Sequence, residues 1–177
     1  MIVKKTKFKG LLIIKQKNNK DLRGNLRETF NDRKLKKKFV FEYCTTSKKN
    51  VLRGFHFQSK NKQSKFVNVI KGKILDVVID LRKNSKTFCK SFSIILSKDN
   101  ALGLYIPAGF AHAYYSYDKE NIIYYKLDNY YNPKFESRII YNEPSLKLRW
   151  PSTNMKISKK DKNLLTISEF KKRFKNL

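Results

Sequence analysis

The chain carries only two histidines in 177 residues, so proton transfer near neutral pH has few places to occur. His56 lies in Val51-Leu52-Arg53-Gly54-Phe55-His56-Phe57-Gln58, whose branched and aromatic residues predict a buried strand. Strict alternation sets Arg53 and His56 on opposite faces, whereas a bulge at Gly54 shifts the register and turns both to one side. An Arg and a His converging inside a sheet are costly unless something anionic or reactive sits between them. The plainer alternative is a core histidine held by a backbone carbonyl. His112 falls on a second predicted strand, residues 110–117, on one face with Tyr114 and Ser116. There is no HxH pattern for a metal, no Ser/His/Asp or Cys/His nucleophile spacing, and six glycines form no phosphate-cradling loop. What remains is acid/base chemistry on an anionic ligand, with His as base, Tyr as acid and Lys or Arg holding phosphate. Tyrosines in strands more often pack than react, and Tyr125 has that ordinary reading too.

Strands must hold these groups. Residues 11–14 predict a first strand, Asn18-Asn19-Lys20 a polar turn, and Arg23-Gly24 a turn into another strand; residues 31–38 suit a short helix. Further strands are expected at 39–45, 51–58, 65–70 and 74–81, the last two joined tightly at Lys71-Gly72-Lys73. Others follow at 91–96, 102–106, 110–117, 121–127 and 138–141. Asp76 and Asp80 share a face, so either one carboxylate points inward to a basic group or both are solvated. Ser158-Lys159-Lys160-Asp161 reads as a capping box opening a short helix, and Phe170 and Phe174 form the apolar edge of a final one. Short strands with so little helix predict an all-β antiparallel β-sandwich or jelly-roll barrel, one domain over residues 1–177. Ligands of such barrels sit at the mouth, where His56, His112, Lys65 and Tyr125 are expected to converge.

A net charge of +27 first suggests nucleic acid or an anionic membrane. Yet lysines are scattered along the chain, only eight of 41 basic residues are arginine, and Asn, Ile, Tyr and Phe are abundant as in A/T-rich coding. Nucleic-acid binding is therefore a secondary reading, and an anionic small substrate fits the charge equally well. Cys44 and Cys89 show no CxxC or metal spacing and read as small, buried or half-buried thiols in a reducing compartment. The apolar run Leu11-Leu12-Ile13-Ile14 is far too short for a signal or a membrane span. A cytoplasmic chain with no membrane partner is expected.

Several motifs occur together in order: Leu52-Arg53-Gly54-Phe55-His56-Phe57-Gln58, Lys71-Gly72 with Asp76-Val77-Val78-Ile79-Asp80-Leu81-Arg82, Ile106-Pro107-Ala108-Gly109-Phe110-Ala111-His112, Tyr125-Lys126 with Tyr130-Tyr131-Asn132-Pro133, and Trp150-Pro151. From Asp21 to Asp161 their order and spacing closely resemble the dTDP-4-dehydrorhamnose 3,5-epimerase family. The resemblance implies a cupin-type jelly roll, a homodimer, and catalysis with no metal or cofactor. It also implies a nucleotide-diphosphate 4-keto-6-deoxy sugar as substrate, on the route to dTDP-L-rhamnose. By motif, His56 matches the general base, Asp161 the carboxylate that orients it, and Tyr125 the proton donor on the other face of the sugar. Arg53, Lys65 and His112 match contacts to the sugar, its enolate or the diphosphate; Arg23, Glu28, Tyr131, Glu136 and Lys160 match further substrate contacts. The chemistry is consistent: a 4-keto group acidifies C3–H and C5–H, a base removes one proton, a cation stabilises the enolate oxygen, and a phenol returns a proton from the opposite side.

Three departures stand out. Phe41-Glu42-Tyr43-Cys44 replaces the family's Gln-Asp-Asn-His, Asn25-Leu26-Arg27 replaces aromatic residues after Arg23-Gly24, and Asn68 replaces an Arg. All three are expected at the rim that recognises nucleotide and sugar. Two alternatives stay open: inversion at C3 or C5 alone on another nucleotide sugar, and a non-catalytic basic β-barrel binding module.

Overall fold

The computed structural model describes residues 1–161 and 164–174. Its strands are β1 (Ile2–Lys5), β2 (Leu12–Lys15), β3 (Lys17–Asp21), β4 (Gly24–Glu28), β5 (Phe41–Lys48), β6 (Val51–Gln58), β7 (Lys65–Lys71), β8 (Lys73–Asp80), β9 (Ser91–Ser97), β10 (Leu102–Ile106), β11 (Phe110–Ser116), β12 (Glu120–Leu127), β13 (Glu136–Arg138) and β14 (Lys156–Ile157). Two short helices, α1 (Asp32–Leu35) and α2 (Ile167–Arg173), complete the set with a few 3-10 turns. One six-stranded sheet runs β1-β2-β10-β7-β12-β5 and the other β13-β6-β11-β8-β9, with β14 added in parallel beside β6. The cupin-type antiparallel β-sandwich is thus the observed fold.

Alternation explains the layers. Inward residues of the first sheet (Val67, Val69, Leu104, Ile106, Ile123, Tyr125, Leu127) meet Ile74, Val78, Leu96, Phe110 and Tyr114 of the second in one core. The other face of the second sheet, with Phe55, Phe57, Val77, Ile79, Ala111 and Ala113, is covered by Ile139, Ile167 and Phe170. A third cluster, Ile14, Phe66 and Tyr105 with Leu35, coats the outside of the first sheet. Both faces of each central strand are therefore buried, which is why β11 is buried along its whole length.

Several boundaries differ from expectation. Asn18-Asn19-Lys20 lies within β3, whose ladder with β4 sets the turn at Leu22-Arg23 instead. The last expected strand, 138–141, is displaced to β13, after which Ile139 bridges Leu165. Among the described residues Ser158 caps no helix: its hydroxyl donates to the Asp161 carboxylate in a 3-10 turn. The reciprocal capping box lies later, between Thr166 and Glu169 at the start of α2. Cys44 is exposed, because β5 is an edge strand that turns Tyr43 inward; Cys89 is half-buried, and both thiols are free. No helix among the described residues is long and apolar enough to cross a membrane.

Candidate active site

The base candidate is placed by a defect in a ladder. Between β6 and β11 the register pairs His112 with His56 but Tyr114 with Arg53, so β6 carries one extra residue beside Gly54. Only glycine fits there: its φ is +122° and a Cβ would lie 2.4 Å from Ala113 Cβ. The slip puts Arg53 and His56 along one groove of about 380 Å³, together with Arg138, Lys156, Ser158, Lys160 and Asp161.

On its other side His56 opens into a cavity of about 290 Å³ lined also by Phe41, Tyr43, Phe57, Gln58, Gln63, Lys65, Leu127, Tyr131 and Glu136. The imidazole is thus a partition between a basic groove and a mainly apolar cavity. His56 Nε2 lies 2.7 Å from Asp161 Oδ1, and Ser158 Oγ donates to Asp161 Oδ2 at 2.9 Å. Burial by itself would raise the Asp161 carboxyl, but the hydrogen bonds from His56 and Ser158 and the Arg138 charge bring it below its usual value. An ionised Asp161 accepts the Nε2 proton, so in the neutral imidazole the lone pair lies on Nδ1. Glu136 Oε1 is 3.9 Å from Nδ1, outside hydrogen-bond reach.

Lys65, the inward residue opening β7, supplies the cation of the cavity. Burial lowers its pKa, against the opposing charges of Glu136 and Asp76. The aromatic wall comes from β5 and β12: Tyr43 and Tyr125 are register partners and stack with centroids 4.8 Å apart. Tyr43 faces the cavity, and burial, with Tyr114, Glu136 and Tyr131 nearby, pushes its phenol up to about 12. Tyr125, in the same row but one strand further from the sheet edge, is 3% exposed, and burial first, then Tyr114, Tyr43 and Asp76, raises its phenol well above the ordinary value. Both phenols are therefore protonated at neutral pH and able to donate.

The sequence-derived candidates divide into three groups. His56, Lys65, Tyr131, Glu136 and Asp161 gather at the cavity or its partition, and Arg53 and Lys160 line the groove. His112 and Tyr125 touch each other edge-on at 6.1 Å behind the cavity wall, with His112 Nε2 2.8 Å from Asp76 Oδ2, so the expected convergence of all four groups at one mouth is only partial. Of the two acidic residues on β8, Asp76 faces the interior; Asp80 instead binds Arg82, Ser85 and Thr87. Arg23 and Glu28 are elsewhere: Arg23 pairs with Asp21 at the exposed tip of the β3–β4 hairpin, and Glu28 with Lys34 and the N-terminus. Asn68 is not at the rim either, since it points to the outer face of its sheet and bonds Gln16. Two site residues were not among the sequence's candidates: Tyr43, which figured only in a segment that departs from the family, and Arg138. The inward alternation of β5 could have found Tyr43; Arg138 needed the β13–β6 register. Among the described residues no group of three or more His, Cys, Asp or Glu is placed to hold a metal ion.

A histidine–carboxylate pair opening into the mouth of such a sandwich is suited to proton transfer. The family model for dTDP-4-dehydrorhamnose 3,5-epimerase matches residues 5–169, and the chain belongs to that family of isomerases. It is 38% identical to the enzyme of that name from Methanothermobacter thermautotrophicus, covering 93% of this chain and 94% of the relative. With the Salmonella typhimurium enzyme it shares 38% identity, over 91% and 92% of the two chains. A crystal structure of dTDP-6-deoxy-D-glucose-3,5-epimerase from Legionella pneumophila, in complex with dTDP-4-keto-L-rhamnose, superposes with a TM-score of 0.90 at 34% identity, covering 94% of this chain and 93% of that one. The Bacillus anthracis dTDP-4-dehydrorhamnose 3,5-epimerase with TDP and pyrophosphate bound gives 0.90 and 34%, over 94% and 99%.

Proposed function

We propose that this chain epimerises a dTDP-4-keto-6-deoxy sugar at C3 and C5 by proton transfer without a cofactor, as one domain acting in a homodimer in the cytoplasm. The observation that carries the reading is the imidazole whose Nε2 is held by Asp161 while Nδ1 opens into a cavity that also holds Lys65. Nδ1 removes the proton alpha to the ketone; the electron pair moves onto the 4-oxygen, where the Lys65 ammonium meets the developing charge. Tyr125, the donor that the resemblance assigns, returns a proton to the same carbon from the side of the Tyr43–Tyr125 stack, inverting it, and the two protein groups then re-equilibrate with water. Repeating the sequence at the second carbon completes the reaction. Placement of the diphosphate follows from charge: Arg53, Lys156 and Lys160 line the groove on the other side of His56. Support for this ligand class comes from the Legionella and Bacillus relatives, whose structures hold dTDP-4-keto-L-rhamnose and TDP. For the dimer, the support is the hairpin carrying Leu22 and Leu26, 108% and 70% exposed, an apolar pair that a second copy would cover.

The test is incubation with a panel of nucleotide 4-keto-6-deoxy sugars in heavy water, followed by NMR at C3 and C5. Deuterium entry with inversion at both carbons of the dTDP sugar is expected. Exchange at one carbon only would assign a mono-epimerase, and no exchange with any sugar would overturn the reading.

A further inference from the structure

We infer that Arg138 is a positioning residue which holds Glu136 away from the His56 base and so keeps Nδ1 open to substrate. The inference rests on the epimerase reading above. β13 runs beside β6 with Arg138 opposite His56. From there one planar guanidinium meets both carboxylates that flank the imidazole. Its Nη2 donates to Glu136 Oε2, its Nε lies 3.6 Å from Asp161 Oδ1, and its Nη1 donates to the Lys160 carbonyl at 3.4 Å.

Two features argue for a role beyond filling space. Arg138 Nε is buried with no hydrogen-bond partner, a costly state that makes sense where the position supplies charge and direction rather than one more bond. And Glu136 lies 3.9 Å from the nitrogen that must stay unprotonated to act as base. Released from Arg138, that carboxylate has less than an ångström to travel to form a hydrogen bond with the ring. An anion in contact with Nδ1 favours the protonated imidazole, and a protonated ring takes no proton from carbon. The other groups facing His56 are Asp161 and Lys160 on the 3-10 turn, Lys156 on β14, Arg53 on its own strand, Lys65 on β7, Tyr43 on β5 and Tyr131 beyond β12. None of these has a hydrogen bond to Glu136 in place of Arg138 except the Tyr131 phenol, which is neutral and half exposed.

The experiment is kcat/KM against pH for Arg138→Met and Arg138→Lys, each alone and combined with Glu136→Gln. Arg138→Met is expected to move the acid limb to higher pH by about one unit, a loss of roughly tenfold below the limb. Arg138→Lys, which keeps the charge, is expected to leave the limb in place, and remains readable if the Met variant folds poorly. With Glu136→Gln present, Arg138→Met should no longer move it. A loss of equal size at every pH, a shift of the same size in both backgrounds, or no change at all would overturn the clamp. Absence of proton exchange in the unmodified enzyme would instead count against the epimerase reading, so the two failures are distinguishable.

Discussion

The molecule contains the same pair twice. His56 Nε2 meets Asp161 at 2.7 Å and His112 Nε2 meets Asp76 at 2.8 Å, and the two histidines are register partners across β6 and β11. Their surroundings differ. β6 is separated from solvent only by the short strands β13 and β14, and its imidazole is 32% exposed; β11 is a central strand, and the His112 ring is 5% exposed against Tyr114 and Tyr125. One carboxylate sits on a turn near the end of the chain, bonded by a serine and faced by an arginine. The other is on β8 with one oxygen buried and unpartnered. A close histidine–carboxylate contact is thus not what makes a base. Access of the remaining nitrogen to a cavity is, and that access depends on β6 lying next to the sheet's edge and on the Gly54 bulge.

The sharpest way to break this comparison is to remove each imidazole. His56→Ala should lower inversion and deuterium entry by about 10²–10⁴-fold and cost less stability than the sealed pair's variant, because Asp161 keeps the Ser158 hydrogen bond and still faces Arg138. His112→Ala strands the Asp76 carboxylate, which is fully buried, and should cost stability of about 3–5 kcal/mol. Equal loss of stability in both variants would erase the distinction between an open and a sealed pair. The phenols give the next largest effect. Tyr125→Phe should spare deuterium entry, because His56 can return a proton to the face it came from, but should lower inversion by about 10²-fold. Tyr43→Phe keeps the stacked ring and should cost about tenfold or less. The reverse ranking would move the acid role to the ring that faces the cavity.

Most of the framework could be read from the sequence because burial leaves a period. The strands over 51–58, 65–71 and 110–116 alternate or run apolar throughout, and the structure has them within a residue of expectation. β1 and β14 escaped because short edge strands, mostly exposed, carry no such pattern. At the site, the Gly54 bulge was legible as a glycine between an arginine and a histidine. Asp161 was legible only by resemblance, since taken alone Ser158-x-x-Asp161 reads as a cap. Depth along a strand was not legible at all. Tyr43 and Tyr125 share a row and a face, and only the cavity's position separates the phenol that lines it from the one behind.

The smallest effect concerns stability and tests whether Asp161 is held as an anion. Its folded pKa lies below the usual 3.8, despite burial that works the other way, because His56 and Ser158 donate to it and Arg138 faces it. A carboxyl with a depressed folded pKa contributes stability that is present above its unfolded value and lost as pH falls through the folded one. Asp161→Asn should therefore melt below the unmodified protein near neutral pH, with each kcal/mol of difference seen as about 2–4 °C, and the gap should narrow below about pH 4. Asp80 and Glu143 are also held low by their hydrogen bonds, but they are present in both proteins, so their acid titration cancels in the difference. A gap that persists unchanged into acid would mean that the 2.7 Å contact owes its stability to packing of the 3-10 turn rather than to charge. The open pair would then differ from the sealed one in exposure alone.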